Sequence, residues 1–380
     1  MISTKTGCCH MKDKPHPQIL FLIQLPLPIH GASLMNKYIR ESMLINTAFD
    51  CTYIDITTSK DLKHIGKFAL TKYLRTLLIY VDILKKLLSR KCDACYITLS
   101  PHGPALLKDG IAVLLCKMFG TNIIIHLHGK GIKERADQSK IKKFLYKRVF
   151  KNTNVICLSN RLIHDISAVY NGKPFVLNYG IPDASPTKKR PPCKYVKLLF
   201  LSNFVVSKGI LVLIDALKIL HERNVNFKCN LVGKEFDISY PDMQNLINNY
   251  NLKDQVSIVG AMYGKDKDEQ FLKTDIMVFP TFYDNEAFPL VILEAMMHGL
   301  PVISTYEGGI PDIIDDGITG FLVHRENPIA LADKIQYLID HPNRIREMGD
   351  AARRKYEKKY KIDTFQGNFI NIVKMIVENN

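Results

Sequence analysis

The residues best placed to do chemistry in this 380-residue chain lie in Val278-Phe-Pro-Thr-Phe-Tyr-Asp-Asn-Glu286-Ala-Phe-Pro-Leu-Val-Ile-Leu-Glu294-Ala. A strand-like run ends at Phe279, a loop follows, and Pro289 suits the first turn of a helix. That order aims backbone N–H groups at Phe288, Leu290 and Val291 into the crevice at the strand's carboxyl end. A helix N-terminus there is suited to a phosphate. Glu286 stands just ahead of the helix, and Glu294 about a turn and a half inside it. One carboxylate can accept hydrogen bonds from a sugar's hydroxyls while the other reaches a nucleotide ribose. With no ligand in view, the same pair reads as a charge suited to the helix dipole and an acid on a helix surface.

Patterns for other chemistries are missing. Neither G-x-G-x-x-G nor G-x-x-x-x-G-K-[ST] occurs, and Gly129-Lys-Gly131 lacks a third glycine, so nicotinamide and flavin binding are not supported. A Ser-centred nucleophile elbow, H-E-x-x-H, RNA-recognition signatures and zinc fingers are also absent. Asp266-Lys-Asp268 sits in a charged run, 265–269, that reads as a solvated loop or helix start rather than a metal site. Among nine cysteines, Cys92-Asp-Ala-Cys95 is the one C-x-x-C, with no second pair or His cluster at metal spacing. It reads as structural, and reduced thiols are expected.

Positioning the acidic pair requires a frame of strands. Apolar runs at 19–25, 49–56, 94–99, 122–127, 154–158 and 174–177 read as strands. Helical patterns at 32–46, 67–88, 110–119 and 140–150 separate them. Residues 183–192 are polar and proline-rich, of linker composition. Strands at 197–201, 227–232, 256–259, 276–279 and 301–303 follow, with helices at 209–223 and 289–298 and a helical tail from 328 to 380. This alternation predicts an α/β chain of two doubly wound parallel-sheet domains joined near residue 190. The apolar run 19–27 is interrupted by Gln24 and Pro26 and too short to span a bilayer, and residues 1–18 show no secretory h-region. A cytosolic, non-spanning protein is expected.

Composition, with 47% hydrophobic and 23% charged residues, is that of a globular protein and excludes disorder and collagen-like chains. The net charge of +15 is uneven: residues 1–190 hold 30 Lys and Arg against 12 Asp and Glu, so that part carries +18. The remainder carries −3. Such asymmetry predicts two domains with different partners, the basic one facing nucleic acid, an anionic membrane or phosphorylated substrates.

The stretch around Glu286 and Glu294 resembles the E-x7-E signature of the family 4 retaining glycosyltransferases. Further likeness lies in Leu199-Phe-Leu-Ser-Asn-Phe-Val-Val-Ser-Lys208-Gly209, Asn230-Leu-Val-Gly233, Val256-Ser-Ile-Val-Gly260 and His298-Gly-Leu-Pro-Val-Ile303. Glu307-Gly-Gly-Ile-Pro-Asp312, Asp316-Gly-Ile-Thr-Gly-Phe-Leu322 and the turn Asn178-Tyr-Gly180-Ile181 extend it over about residues 175–325. The resemblance implies the GT-B fold, two Rossmann-like domains facing a central cleft. Residues 1–190 would bind the acceptor, 191–360 the nucleotide sugar, and 361–380 would pack back on the first domain.

By the same resemblance, Lys208 neutralises the donor diphosphate, with Asn203 and the amides after Phe288 beside it, and Glu294 takes the ribose. Glu286 and His128, the latter at the end of Ile123-Ile-Ile-His-Leu-His128-Gly129, hold the sugar. Gly31, in Pro26-Leu-Pro-Ile-His30-Gly31-Ala-Ser33, faces the phosphates and acceptor. Ser202-Asn203 stand where the family often has Gly-Arg, and one glycine stands at 31 where two adjacent ones are common. The implied reaction moves a hexose-type sugar from a UDP- or GDP-linked donor with retention and with no metal or other cofactor. The departing phosphate helps deprotonate the acceptor, in agreement with the absence of a recognisable protein nucleophile.

Residues 67–91 and 130–151 read as basic amphipathic helices, the second span holding nine Lys and Arg against Glu134 and Asp137. They suit docking on the anionic inner face of a membrane, and equally a stripe packed on a sheet with lysines in water. The expected acceptor is a saccharide, lipid-pyrophosphate-linked, in cell-surface polysaccharide or glycolipid assembly. A sugar-nucleotide epimerase or a phosphorylase with a pyridoxal-phosphate lysine is the alternative on this fold. A nucleic-acid-binding role is disfavoured, because the basic half is not the half with the phosphate site.

Overall fold

A computed structural model describes residues 16–27, 30–58, 70–184 and 195–378. Most of the proline-rich segment at 183–192, the expected boundary at 190–191, residues 67–69 of an expected helix and residues 28–29 ahead of Gly31 lie outside them.

Two six-stranded sheets, parallel throughout, organise the chain. The first holds β1 (Gln18–Ile23), β2 (Asp50–Asp55), β3 (Ala94–Leu99), β4 (Asn122–Leu127), β5 (Asn154–Cys157) and β6 (Phe175–Val176), in the order β2-β1-β3-β4-β5-β6. The second holds β7 (Val196–Leu201), β8 (Phe227–Val232), β9 (Val256–Gly260), β10 (Ile276–Phe279), β11 (Val302–Thr305) and β12 (Gly320–Val323), ordered β12-β11-β10-β7-β8-β9. Helices cover both faces of a parallel sheet, so its central strands are largely apolar; β3 is buried at every residue. Each sheet reverses its direction of growth once, between β1 and β3 and between β7 and β10. Ligand crevices open at such points, beyond the carboxyl ends of the strands.

The first sheet carries α1 (Gly31–Glu41), α2 (Met43–Ala48), α3 (Leu70–Ser89), α4 (Gly103–Met118), α5 (Ile132–Gln138) and α6 (Lys140–Phe150). The second carries α7 (Ile210–Glu222), α8 (Tyr240–Asn249), α9 (Gly264–Leu272), α10 (Leu290–Met297), α11 (Ile310–Ile313), α12 (Pro328–Asp340) and α13 (Pro342–Lys359). A last helix, α14 (Ile362–Glu378), returns to the first sheet, where Phe369 meets Tyr96 at 5.3 Å and Phe21 at 6.3 Å between ring centroids.

Several expected boundaries move. The helix expected over 32–46 is two, because Ser42 leaves helical geometry and its hydroxyl accepts from the Ile45 amide, capping α2. The basic run 130–151 divides at Ser139, which caps α6, and the helix expected over 140–150 keeps its bounds. The helix expected from 110 begins at Gly103, with Pro104 in its first turn. The run containing Asp266 and Asp268 is helical, within α9.

Two glycines separate backbone necessity from accident. Gly209 sits at φ +84°, and a Cβ there would strike the Pro280 carbonyl. Gly367 lies inside α14 with open space around its missing side chain. Gly209→Ala should therefore destabilise the fold by about 2 kcal/mol or more, while Gly367→Ala should stabilise it by roughly 0.5–1 kcal/mol. Urea unfolding of both variants checks this, and equal midpoints would count against it.

Candidate active site

The carboxyl ends of the two sheets face each other across a cleft of ≈ 680 Å³. On the second domain's side, β7 ends at Leu201 and the chain runs through Ser202 and Asn203 into a single 3₁₀ turn, Val206–Lys208. The loop after β10 lies directly on that turn. The Phe282 amide and the Thr281 hydroxyl both donate to the Ser207 carbonyl, at 2.8 and 3.3 Å. Lys208 Nζ donates to Glu286 Oε2 at 2.5 Å and stands 4.4 Å from the centre of the Tyr283 ring. Glu286 is fixed in turn by its own amide, which donates to the Tyr283 carbonyl, and by Gly308, where a Cβ would strike the Glu286 carbonyl.

Glu294 is not a helix-surface acid. It faces the cleft from α10, and burial raises its carboxyl above the ordinary value against the pull of Lys267, which donates to Oε1 at 2.5 Å. Its second oxygen, Oε2, is buried without a hydrogen-bond partner. Pro289 takes the cap position with extended backbone, not the first turn, so α10 starts at Leu290. The leading amides of α10 have no partners within their own helix. Leu290 approaches to 3.9 Å of where a Gly31 Cβ would stand, so the first turns of α10 and α1 meet across the cleft.

The first domain contributes neutral polar groups. His30 caps α1, its Nδ1 accepting from the Ser33 amide while Ser33 Oγ accepts from the His30 amide. His128, beyond the end of β4, pairs its Nδ1 with the Tyr179 hydroxyl at 2.5 Å. Behind it, His126 pairs Nδ1 with the Tyr96 hydroxyl at 2.6 Å, and the two imidazoles lie 4.1 Å apart. Burial holds His126 down to about 3. Burial, with His126 and His30 nearby, holds His128 well below the usual histidine range. Both rings are therefore neutral at working pH. Burial pushes the Tyr179 phenol well up, so it keeps its proton and is able to donate it to Nδ1. The ring proton of His128 is then on Nε2, a buried atom with no partner in the protein.

Glu286, His128, Lys208, Gly31, Asn203, Phe288, Leu290, Val291 and Glu294 all line this one cleft. Sequence reasoning missed Tyr179, Tyr283 and Lys267. Lys267 lay in the charged run read as solvated, where it is flanked by Asp266 and Asp268; a lysine amid acids on a short helix was the available signal. Lys234 and Lys267 also line the cleft, beside the neutral Ser202-Asn203 pair.

Residues 183–355 match the family model for glycosyl transferases group 1. The N-acetyl-alpha-D-glucosaminyl L-malate synthase of Bacillus anthracis is 27% identical over 278 residues, 69% of this chain and 70% of that protein. The capsular polysaccharide biosynthesis glycosyltransferase CapM of Staphylococcus aureus is 29% identical over 231 residues, 56% of this chain and 59% of CapM. Among solved structures, Anabaena Alr3699/HepE in complex with UDP superposes with a TM-score of 0.71 at 18% identity, over 94% of this chain and 100% of that one. That last likeness is one of fold: two Rossmann-like domains in the GT-B arrangement.

Two variants test the buried histidines. Tyr179→Phe removes the proton that fixes the His128 tautomer; it should lower turnover about tenfold or more with little change in nucleoside diphosphate affinity. Wild-type turnover would contradict this. The unfolded chain protonates His126 below about pH 6.5, whereas the folded chain does not until about pH 3. Folded stability therefore falls as pH drops through 6.5, by roughly 2 kcal/mol for this ring between pH 7.5 and 5. His126→Gln should remove that share of the pH dependence in urea unfolding; an unchanged profile would contradict it.

Proposed function

We propose that this chain, which is a group 1 glycosyltransferase, moves a hexose-type sugar from a nucleotide diphosphate sugar to a saccharide acceptor with retention of anomeric configuration. The observation that carries this reading is the Lys208–Glu286 pair at the β7/β10 switch point, facing the first turn of α10 with the unpaired Glu294 Oε2 nearby. A donor entering the cleft separates that pair. Its diphosphate takes Lys208 and the amides of Leu290 and Val291, and its sugar hydroxyls donate to Glu286. The Nε2–H of His128 donates to a sugar hydroxyl, and Glu294 Oε2 accepts from the ribose. As the anomeric C–O bond to phosphate breaks, Lys208 and the amides stabilise the charge gathering on the diphosphate. The acceptor oxygen bonds the anomeric carbon on the face the phosphate leaves, and its proton passes to a phosphate oxygen. No metal or other cofactor enters this scheme.

The context we infer is assembly of a cell-surface polysaccharide or glycolipid on a lipid-pyrophosphate-linked acceptor, by an enzyme peripheral to the inner face of the cytoplasmic membrane. CapM's role in capsular polysaccharide biosynthesis supports the first part, and the UDP bound to HepE favours UDP over GDP as the donor nucleotide. A small acid such as malate is a poorer fit. The first domain's cleft wall offers Gln24, His30, Thr98, Ser100, His102 and His128, and no Lys or Arg among its described residues.

Thermal stabilisation by UDP and GDP, each at millimolar concentration, tests the donor site. A ligand at about 100 times its dissociation constant stabilises by roughly 2.7 kcal/mol. The expected result is a selective shift with UDP that Glu294→Gln diminishes. No shift with either nucleotide, or an undiminished one in the variant, would overturn the donor assignment.

A further inference from the structure

The connections from β2 to β3, β3 to β4 and β4 to β5 all step the same way across the first sheet, so α3, α4 and α6 lie side by side on one face. Their inner sides are core, with Ile83, Val113 and Phe150 buried. Their outer sides are also apolar. Leu74, Leu77, Leu78, Ile111, Ile141 and Phe144 are between 46% and 74% exposed. The stripes expected on the two basic helices are thus too wide for the sheet to cover.

Five of these side chains fall in the first halves of their helices, and Ile111 lies at the middle of α4. After β2 and β3, α3 and α4 begin at the strands' carboxyl ends, the cleft end of the domain. The middle of α6 stands at the same level, since the Tyr146 hydroxyl donates to the carbonyl of Pro101, just beyond β3. The apolar band therefore reaches the cleft rim, and Leu88 and Met118, exposed at the other ends of α3 and α4, continue it along the face. Cations share the face: Lys140, Lys142, Lys143 and Lys147 lie on α6, which has no acid, and Asp82 is the one acid in α3. The first domain's excess charge is not spent on the cleft wall, whose described residues there include no charged side chain.

We propose that this rim is the seat of the enzyme on an anionic bilayer, with the apolar side chains in the acyl boundary, the lysines among acidic headgroups and the cleft mouth at the membrane surface. This rests on the reading of the acceptor as lipid-linked, whose saccharide then enters the cleft while its lipid stays in the bilayer. The chemistry selects the partner. An apolar band bordered by lysines matches a surface that is anionic outside and hydrocarbon within. A second copy of the chain would set lysine against lysine, and a polynucleotide would leave the leucines unused.

Sedimentation with vesicles of phosphatidylcholine, with and without phosphatidylglycerol, tests this. The expected result is binding to the mixed vesicles that falls about tenfold or more in Leu77→Ser/Leu78→Ser/Phe144→Ser at any salt concentration. Lys140→Ser/Lys142→Ser/Lys143→Ser should instead lose the salt-sensitive part. All six sites are on the surface, so unchanged melting curves establish intact folds without reference to nucleotide binding. Wild-type sedimentation in both variants, or none in the wild type, would overturn the proposal while leaving the donor reading standing. So would a dimer of the wild type that the apolar variant abolishes, since a second copy would then be the occupant.

Discussion

Lys208 and Glu286 meet where the second sheet reverses its strand order, and the surrounding backbone leaves them little freedom. Gly209 lets the Lys208 turn lie against Pro280, Gly308 lets the next loop lie against Glu286, and Gly233 gives the same close approach at Ser202. An ion pair held this way in a partly dry cleft is costly to strip of one partner. A ligand that displaces it at least cost offers an anion to the lysine and donors to the carboxylate together. A diphosphate joined to a sugar does so; a bare phosphate or a bare sugar offers half.

The rest of the molecule arranges other groups about that pair. Two helix N-termini, those of α1 and α10, meet across the cleft. Burial keeps His126 and His128 uncharged, so the first domain's wall of the cleft presents hydrogen-bonding groups rather than cations. The turn 178–181 supplies Tyr179, and its Ile181 exchanges backbone hydrogen bonds with Tyr360 and Ile362 at the start of α14. The residue orienting His128 is therefore anchored to the helix that joins the two sheets.

Much of this was legible in the order of residues, for identifiable reasons. Strands buried on both faces read as largely apolar runs, so β1, β3, β4, β7 and β10 stood out, and the spacing of Glu286 and Glu294 around a strand–loop–helix pointed to the cleft. The break at Ser42 did not stand out, because apolar periodicity continues through it and only a serine cap marks it. Partnerships formed by tertiary closeness were beyond reach: Lys267 lies 27 positions from Glu294, and Tyr179 lies 51 from His128. The apolar stripes of α3 and α6 were visible, but how much of each the sheet covers depends on where neighbouring helices stop.

The central claim is that the Lys208–Glu286 pair opens to admit the donor, with the lysine serving the diphosphate and the glutamate the sugar. Calorimetric titration of Glu286→Gln with a nucleoside diphosphate, beside its transferase activity, tests it most directly. Neutralising the glutamate frees Lys208, so diphosphate affinity should hold or rise while sugar transfer is lost. A variant that loses affinity and transfer together would contradict the account, because Glu286 would then serve to build the diphosphate site rather than to hold the sugar.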